Sequence, residues 1–216
     1  MPQIFSPRAN VIAKAGLVSL VPAIAVVGAA GWTFYNSPYV TDQYVVVVQP
    51  IPFSHEHHVG RLGFDCRYCH TAVEKSPFAG IPPTETCMNC HSQIWAEQPM
   101  LAPVRESFKT GQPLVWHRVH NLPDFAYFDH HVHLAKGIGC VSCHGRIDQM
   151  PLVYQAAPLT MSWCLDCHRN PKPHLRPRDE VFNMDWMPPP DAQRLRARLI
   201  AEYDVERLTS CSTCHR

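Results

Sequence analysis

CRYCH at 66–70, CMNCH at 87–91, CVSCH at 140–144, CLDCH at 164–168 and CSTCH at 211–215 are five copies of one pattern, Cys-x-x-Cys-His. Two cysteines one helical turn apart followed directly by histidine form the attachment signature of a c-type haem. The thiols, Cys66 and Cys69, Cys87 and Cys90, Cys140 and Cys143, Cys164 and Cys167, and Cys211 and Cys214, are placed to bond the vinyl groups. The adjoining His70, His91, His144, His168 and His215 are placed as proximal iron ligands. A lone Cys-x-x-Cys also serves zinc sites and dithiol chemistry. Here all ten cysteines fall inside the five motifs, and neither zinc nor a disulfide framework accounts for a histidine at the same offset each time. The motifs imply five haem c.

Five haems dictate the fold class. From Cys66 onward each has only about thirty residues to cover it, too few for a conventional apolar core, so the cofactors themselves become the core. The expected structure is mostly irregular, with short α-helices carrying the motifs. Twenty-one prolines point the same way. The formal charge of +1 leaves no footprint for nucleic acid. Arg61, Arg105, Arg118 and Arg146 are candidates to pair haem propionates.

Ahead of the motifs, Ala15–Phe34 carries no charge, and Arg8 and Lys14 precede it. Its length suits one transmembrane helix. It is read as a retained anchor (1–36) in preference to a cleaved secretory signal, with the N-terminus cytoplasmic by the positive-inside rule. The haem domain is then expected in the periplasm, on the outer face of a bacterial inner membrane. Residues 37–52 read as an extended connector, and 53–216 as the haem domain. That domain contains a repeat. FSHEHH at 53–58 precedes the first pair of motifs and FDHHVH at 128–133 the second, each reading Phe-x-His-x-x-His. Two tandem di-haem modules, about 53–110 and 116–175, with a fifth-haem segment at 176–216, are the simplest organisation. Within these, 93–110 should form short helices ended by Gly111, and a last helix should run from about Asp191 towards Leu208.

Nine histidines lie outside the motifs. The repeat singles out His55, His58, His130 and His133 as distal ligands, since histidines three apart can reach two irons from one turn. His57 and His131 read as surface or propionate-contacting residues. For the fifth iron the choices are His120, His117, His174 or a methionine (Met150, Met161, Met184 or Met187), with His120 preferred.

The stretch WHRVHNLPDFAYFDHHVHLAKGIGCVSCHG at 116–145, together with FSHEHHVGRLGFDCRYCH, MSWCLDCHRNP and CSTCHR, resembles the multihaem cytochrome subunits of molybdopterin-oxidoreductase-like membrane complexes. It is most similar to the pentahaem, class III-like subunits of bacterial alternative complex III. The resemblance implies electron transfer from a quinol-oxidising complex to a periplasmic cytochrome or oxygen reductase. It implies an iron–sulfur/molybdopterin-like subunit, integral quinol-binding subunits, a soluble or attached monohaem cytochrome c and membrane lipid as partners. Trp116, Arg118, Val119 and His120 match its WxRVHxLP segment, which favours His120 over His117, while the pattern makes no demand at His174. No catalysis is expected of the chain alone. The alternatives are a membrane-anchored dehydrogenase oxidising quinol directly, and a small-molecule reductase with one open iron.

Overall fold

The computed structural model describes residues 6–215. The chain divides into two units, Met1–Asp42 and Gln43–Arg216. In the first, α1 (Pro7–Tyr35) opens with Ser6 at its N-cap and Pro7 at its first position, where a missing N–H costs nothing. Arg8–Tyr35 is the one helix among the described residues long and apolar enough to cross a membrane. At 28 residues it would reach about 42 Å, against a hydrocarbon core of about 30 Å. Pro22 lies inside it. A single turn, α2 (Pro38–Thr41), follows and ends at Asp42 with φ +54°.

The second unit is helical and irregular. Among the described residues it has no sheet, only single bridges, of which Gln43–Gln155 and Val46–Tyr154 engage the stretch expected to be extended. Every Cys-x-x-Cys-His sits on a short helix, and the lengths follow the repeat. In each module the first motif occupies a single turn, α3 (Cys66–Cys69) and α7 (Val141–His144). The second occupies a longer helix, α4 (Thr84–His91) and α8 (Met161–Arg169). Threonine begins both of the longer ones: Thr84 is the first residue of α4, and Thr160 caps α8 by accepting from the Trp163 N–H. The fifth motif is again one turn, α10 (Cys211–Cys214).

Between the modules, α5 (Ala102–Thr110) ends at Gly111, whose φ of +69° is the left-handed turn that glycine adopts freely. The last long helix, α9 (Ala192–Glu202), stops six residues short of the expected Leu208. The cause is local. Tyr203 turns inward against Leu175 and Leu199, while Lys136 Nζ donates to the Tyr203 and Asp204 carbonyls at 2.7 Å each, satisfying acceptors that a further turn would have used.

Two small apolar clusters stand in place of a core. Ile51, Leu101 and Val104 gather around Met88 and Trp116, and Leu175, Leu199 and Tyr203 around Ile138 and Leu195. The stripe Leu195, Leu199 and Tyr203 thus packs on the chain itself. Large apolar side chains elsewhere in this unit stay exposed, among them Phe78, Ile81, Ile94, Trp95, Val115, Phe125 and Met161. Polypeptide contacts alone leave this surface uncovered, as expected of a chain that wraps prosthetic groups.

Candidate functional site

The repeat Phe-x-His-x-x-His forms a short helical turn in each module, a π turn at Glu56–Arg61 following His55 in the first and α6 (His130–Ala135) in the second. Each turn presents its two histidines to the two motif histidines that follow. His55 faces His70 with ring centres 6.5 Å apart, and His58 faces His91 at 6.2 Å. His130 faces His144 at 6.3 Å, and His133 faces His168 at 6.1 Å. Two imidazoles bonded at about 2 Å to opposite sides of one metal ion have ring centres ~6 Å apart, allowing ~1 Å from nitrogen to ring centre on each side. The four gaps fit an iron between each pair.

The planes repeat as well. The first pair of each module is nearly parallel, at 4° and 11°, and the second is crossed, at 68° in both. One phenylalanine lies between the two outer rings. Phe53 meets His55 edge-on at 88° and stacks on His58 at 21°; Phe128 meets His130 at 90° and stacks on His133 at 26°. The backbone is a π turn in one module and an α turn in the other, so the shared ring geometry follows the side chains and not the helix type.

Nitrogen usage points the same way. His70, His91, His168 and His215 donate Nδ1–H to the carbonyls of Gly80, Ile94, Leu208 and Phe125 at 2.7–3.0 Å. His58 and His133 donate to Ser54 and Asp129 four residues back, and His130 to Pro77 at 2.7 Å. A ring held through Nδ1–H leaves Nε2 as the free lone pair, which is the tautomer a metal needs. Burial lowers the pKa of His144 to about 3 and that of His55 to about 4, with neighbouring histidines adding to the effect. His55 Nδ1 is buried without a hydrogen-bond partner.

His144 is the exception among the motif histidines. Its Nδ1 meets His120 Nε2 at 3.2 Å, the rings edge-on at 4.3 Å and 71°. His120, expected as the distal ligand of the fifth iron, thus touches the third motif from the side. The ring beside His215 is Phe125, at 5.8 Å and 35°. His57 stacks on Trp95 at 5.7 Å, and His117, His131 and His174 are exposed.

Burial pushes the Cys140 thiol up to about 11 and the Cys143 thiol up to about 12. Among the described residues no three His, Cys, Asp or Glu side chains converge as a zinc site requires.

The candidate propionate arginines all have protein partners: Arg61 with Glu56, Arg105 with the Ala96 and Gln98 carbonyls, Arg118 with Asn121, and Arg146 with Asp148 and Asp185. The sequence reading missed Arg176. It is buried beside the third motif, over the Trp186 ring at 4.8 Å, and Gly139 leaves the space its guanidinium occupies. No motif marks it, because its burial comes from the long-range approach of 176 to 139.

Comparison with known proteins agrees with this geometry. Residues 126–216 match the family model for cytochrome c7 and related cytochrome c. The chain is also 39% identical over 114 residues to the menaquinone reductase, multihaem cytochrome c subunit of Nitratidesulfovibrio vulgaris. That alignment covers 52% of this chain and 51% of the relative, so the chain spans about half the relative's length. The match makes residues 126–216 a cytochrome c7-like multihaem domain, and the facing imidazoles and repeated motifs extend the same pattern back to residue 53.

Proposed function

We propose that this chain is the electron-relay subunit of a quinone-linked membrane complex, carrying five haem c on Cys66/Cys69, Cys87/Cys90, Cys140/Cys143, Cys164/Cys167 and Cys211/Cys214. The observation that carries the reading is the set of four facing histidine pairs at 6.1–6.5 Å. When bound, each haem supplies a reversible one-electron couple. The protein's part would be to hold four irons with His55 and His70, His58 and His91, His130 and His144, and His133 and His168, which would close those irons to small molecules. The Nδ1–H bonds to carbonyls raise ligand basicity and fix ring orientation.

In this reading α1 anchors the chain in the membrane and the haem unit lies in the periplasm. Other subunits, of the iron–sulfur/molybdopterin and integral quinone-binding kinds, and a monohaem cytochrome are the partners. The resemblance to alternative complex III implies electrons leaving a quinol, whereas the relative is named a menaquinone reductase. Exchange with a quinone-reactive subunit is common to both. Mixing the purified holoprotein with menaquinol, and separately mixing the reduced holoprotein with an oxidised monohaem cytochrome c, tests this. Electrons should pass readily to the cytochrome, while menaquinol alone should leave the holoprotein oxidised. Fast reduction by menaquinol would transfer the assignment to a direct quinol dehydrogenase.

The ring planes carry a spectroscopic prediction. Parallel imidazoles donate π density into the same iron d orbital and split the pair; crossed imidazoles donate into different orbitals and leave the pair nearly degenerate. The ferric holoprotein should therefore show two EPR classes, rhombic low-spin from His55/His70 and His130/His144, and large-gmax from His58/His91 and His133/His168. Phe53→Leu should alter the signals of the first module and leave those of the second. Unaltered signals in a fully haem-loaded variant would remove any orienting role from Phe53.

His120→Ala tests the edge-on contact. It should keep the number of low-spin irons and shift the potential of one of them, as expected of a residue orienting His144. Loss of one low-spin iron would make His120 an axial ligand instead. A second reading has one observation in its favour: Phe125, and not an imidazole, neighbours His215. An open fifth iron would suit small-molecule reduction, and carbon monoxide binding to one native haem per chain would support that.

A further inference from the structure

The motifs have an order in space that differs from their order in the chain. The first and second share the turn bearing His55 and His58, and Tyr68 within the first accepts a hydrogen bond from Asn89 within the second at 3.3 Å. The first also adjoins the third. Pro77, just past the first motif, accepts from both the backbone N–H and Nδ1–H of His130, whose ring faces His144. Residues 181 and 182 bridge the same two motifs: the Val181 carbonyl accepts from Cys140 N–H at 3.1 Å, and the Phe182 ring lies 4.6 Å from the Arg67 guanidinium.

The third and fourth motifs share the turn bearing His130 and His133, whose rings face His144 and His168. The fourth adjoins the fifth. His168 Nδ1 donates at 2.9 Å to the Leu208 carbonyl, three residues before Cys211. These contacts form one series: second, first, third, fourth, fifth. Exposure follows it, since Cys90 and Cys211 are the exposed members of the ten cysteines. They belong to the two ends.

Resting on the five-haem reading above, we propose that the haems are arrayed in the order second, first, third, fourth, fifth. The two modules meet through their first motifs, and electrons are exchanged with partner redox proteins at the second and fifth haems. Chain order would have placed the second motif between the first and third. The contacts through Pro77, Val181 and Phe182 instead join the third motif to the first. The sharing of one turn by two distal histidines sets the steps within modules, and these long-range contacts set the step between them.

Iron positions in crystals of the holoprotein, located by anomalous diffraction at the iron edge, test the order without any variant. The expected result is that the iron nearest the second is the first, and that the first, third, fourth and fifth then follow as successive neighbours. A second iron nearer the third than the first iron is, or a fifth iron nearer the first than the fourth, overturns the order. Fewer than five irons would contradict the five-haem reading instead, and the order is then judged by the same criterion on the irons present. In solution, Cys87→Ser with Cys90→Ser, which removes an end haem, should leave electron equilibration among the other four intact. Loss of equilibration between the first and third haems in that variant would equally overturn it.

Discussion

His133→Ala is expected to convert one low-spin iron per chain into one that binds carbon monoxide, with no change in covalent haem content. His133 faces His168 at 6.1 Å, its ring held by the 2.6 Å bond to the Asp129 carbonyl and by stacking on Phe128 at 4.4 Å. Burial lowers its pKa, so the ring is neutral and able to coordinate at pH 7. Removing it leaves His168 and both thioether bonds in place, since the motif is separate from the distal turn. The loss should be confined to one iron, because His130 on the same turn is held independently by Pro77. Optical spectra with and without carbon monoxide, on the reduced variant, measure this. A variant whose irons all stay closed would deny His133 its place as a ligand.

Cys140→Ser combined with Cys143→Ser should have the largest effect on folding, removing the cooperative melt of the haem unit. Void arithmetic gives the reason. A single Leu→Ala void costs about 2–5 kcal/mol, a haem is many times larger than the side chain lost there, and domains are stable by only about 5–15 kcal/mol. The third motif is where the void would do most harm. Gly137 and Gly139 on its approach are buried, with the Arg176 carbonyl and guanidinium packed against them. The motif itself joins the two modules through the 181–182 segment. Circular dichroism melts and limited proteolysis of the variant measure the loss. The same change at the fifth motif, an end with exposed Cys211, should be milder.

Much of the site was legible in the sequence because covalent chemistry demands it. Cys-x-x-Cys-His is fixed by the distance between two vinyl groups and an iron, so each motif had to form a helical turn, and each does. The Phe-x-His-x-x-His repeat marks the four histidines whose rings lie opposite motif histidines, because a three-residue spacing puts two side chains on one turn. The end of α9 was not legible. Tyr203 continues the apolar spacing of the helix, but it turns to meet Leu175, and Lys136 caps the carbonyls from 67 residues away. The position of His120 was hidden for the same kind of reason: its contact with His144 depends on how residues 120 and 144 come together, which local pattern does not encode. Arg176 and the spatial order of the motifs belong with these.

Haem content and spin state of the purified holoprotein, measured together by haemochrome assay and quantitative low-temperature EPR, test the central claim most directly. The account predicts five covalent haems per chain, at least four of them low-spin with imidazole on both sides and closed to carbon monoxide. Fewer than five haems, or two or more native high-spin irons, would contradict it.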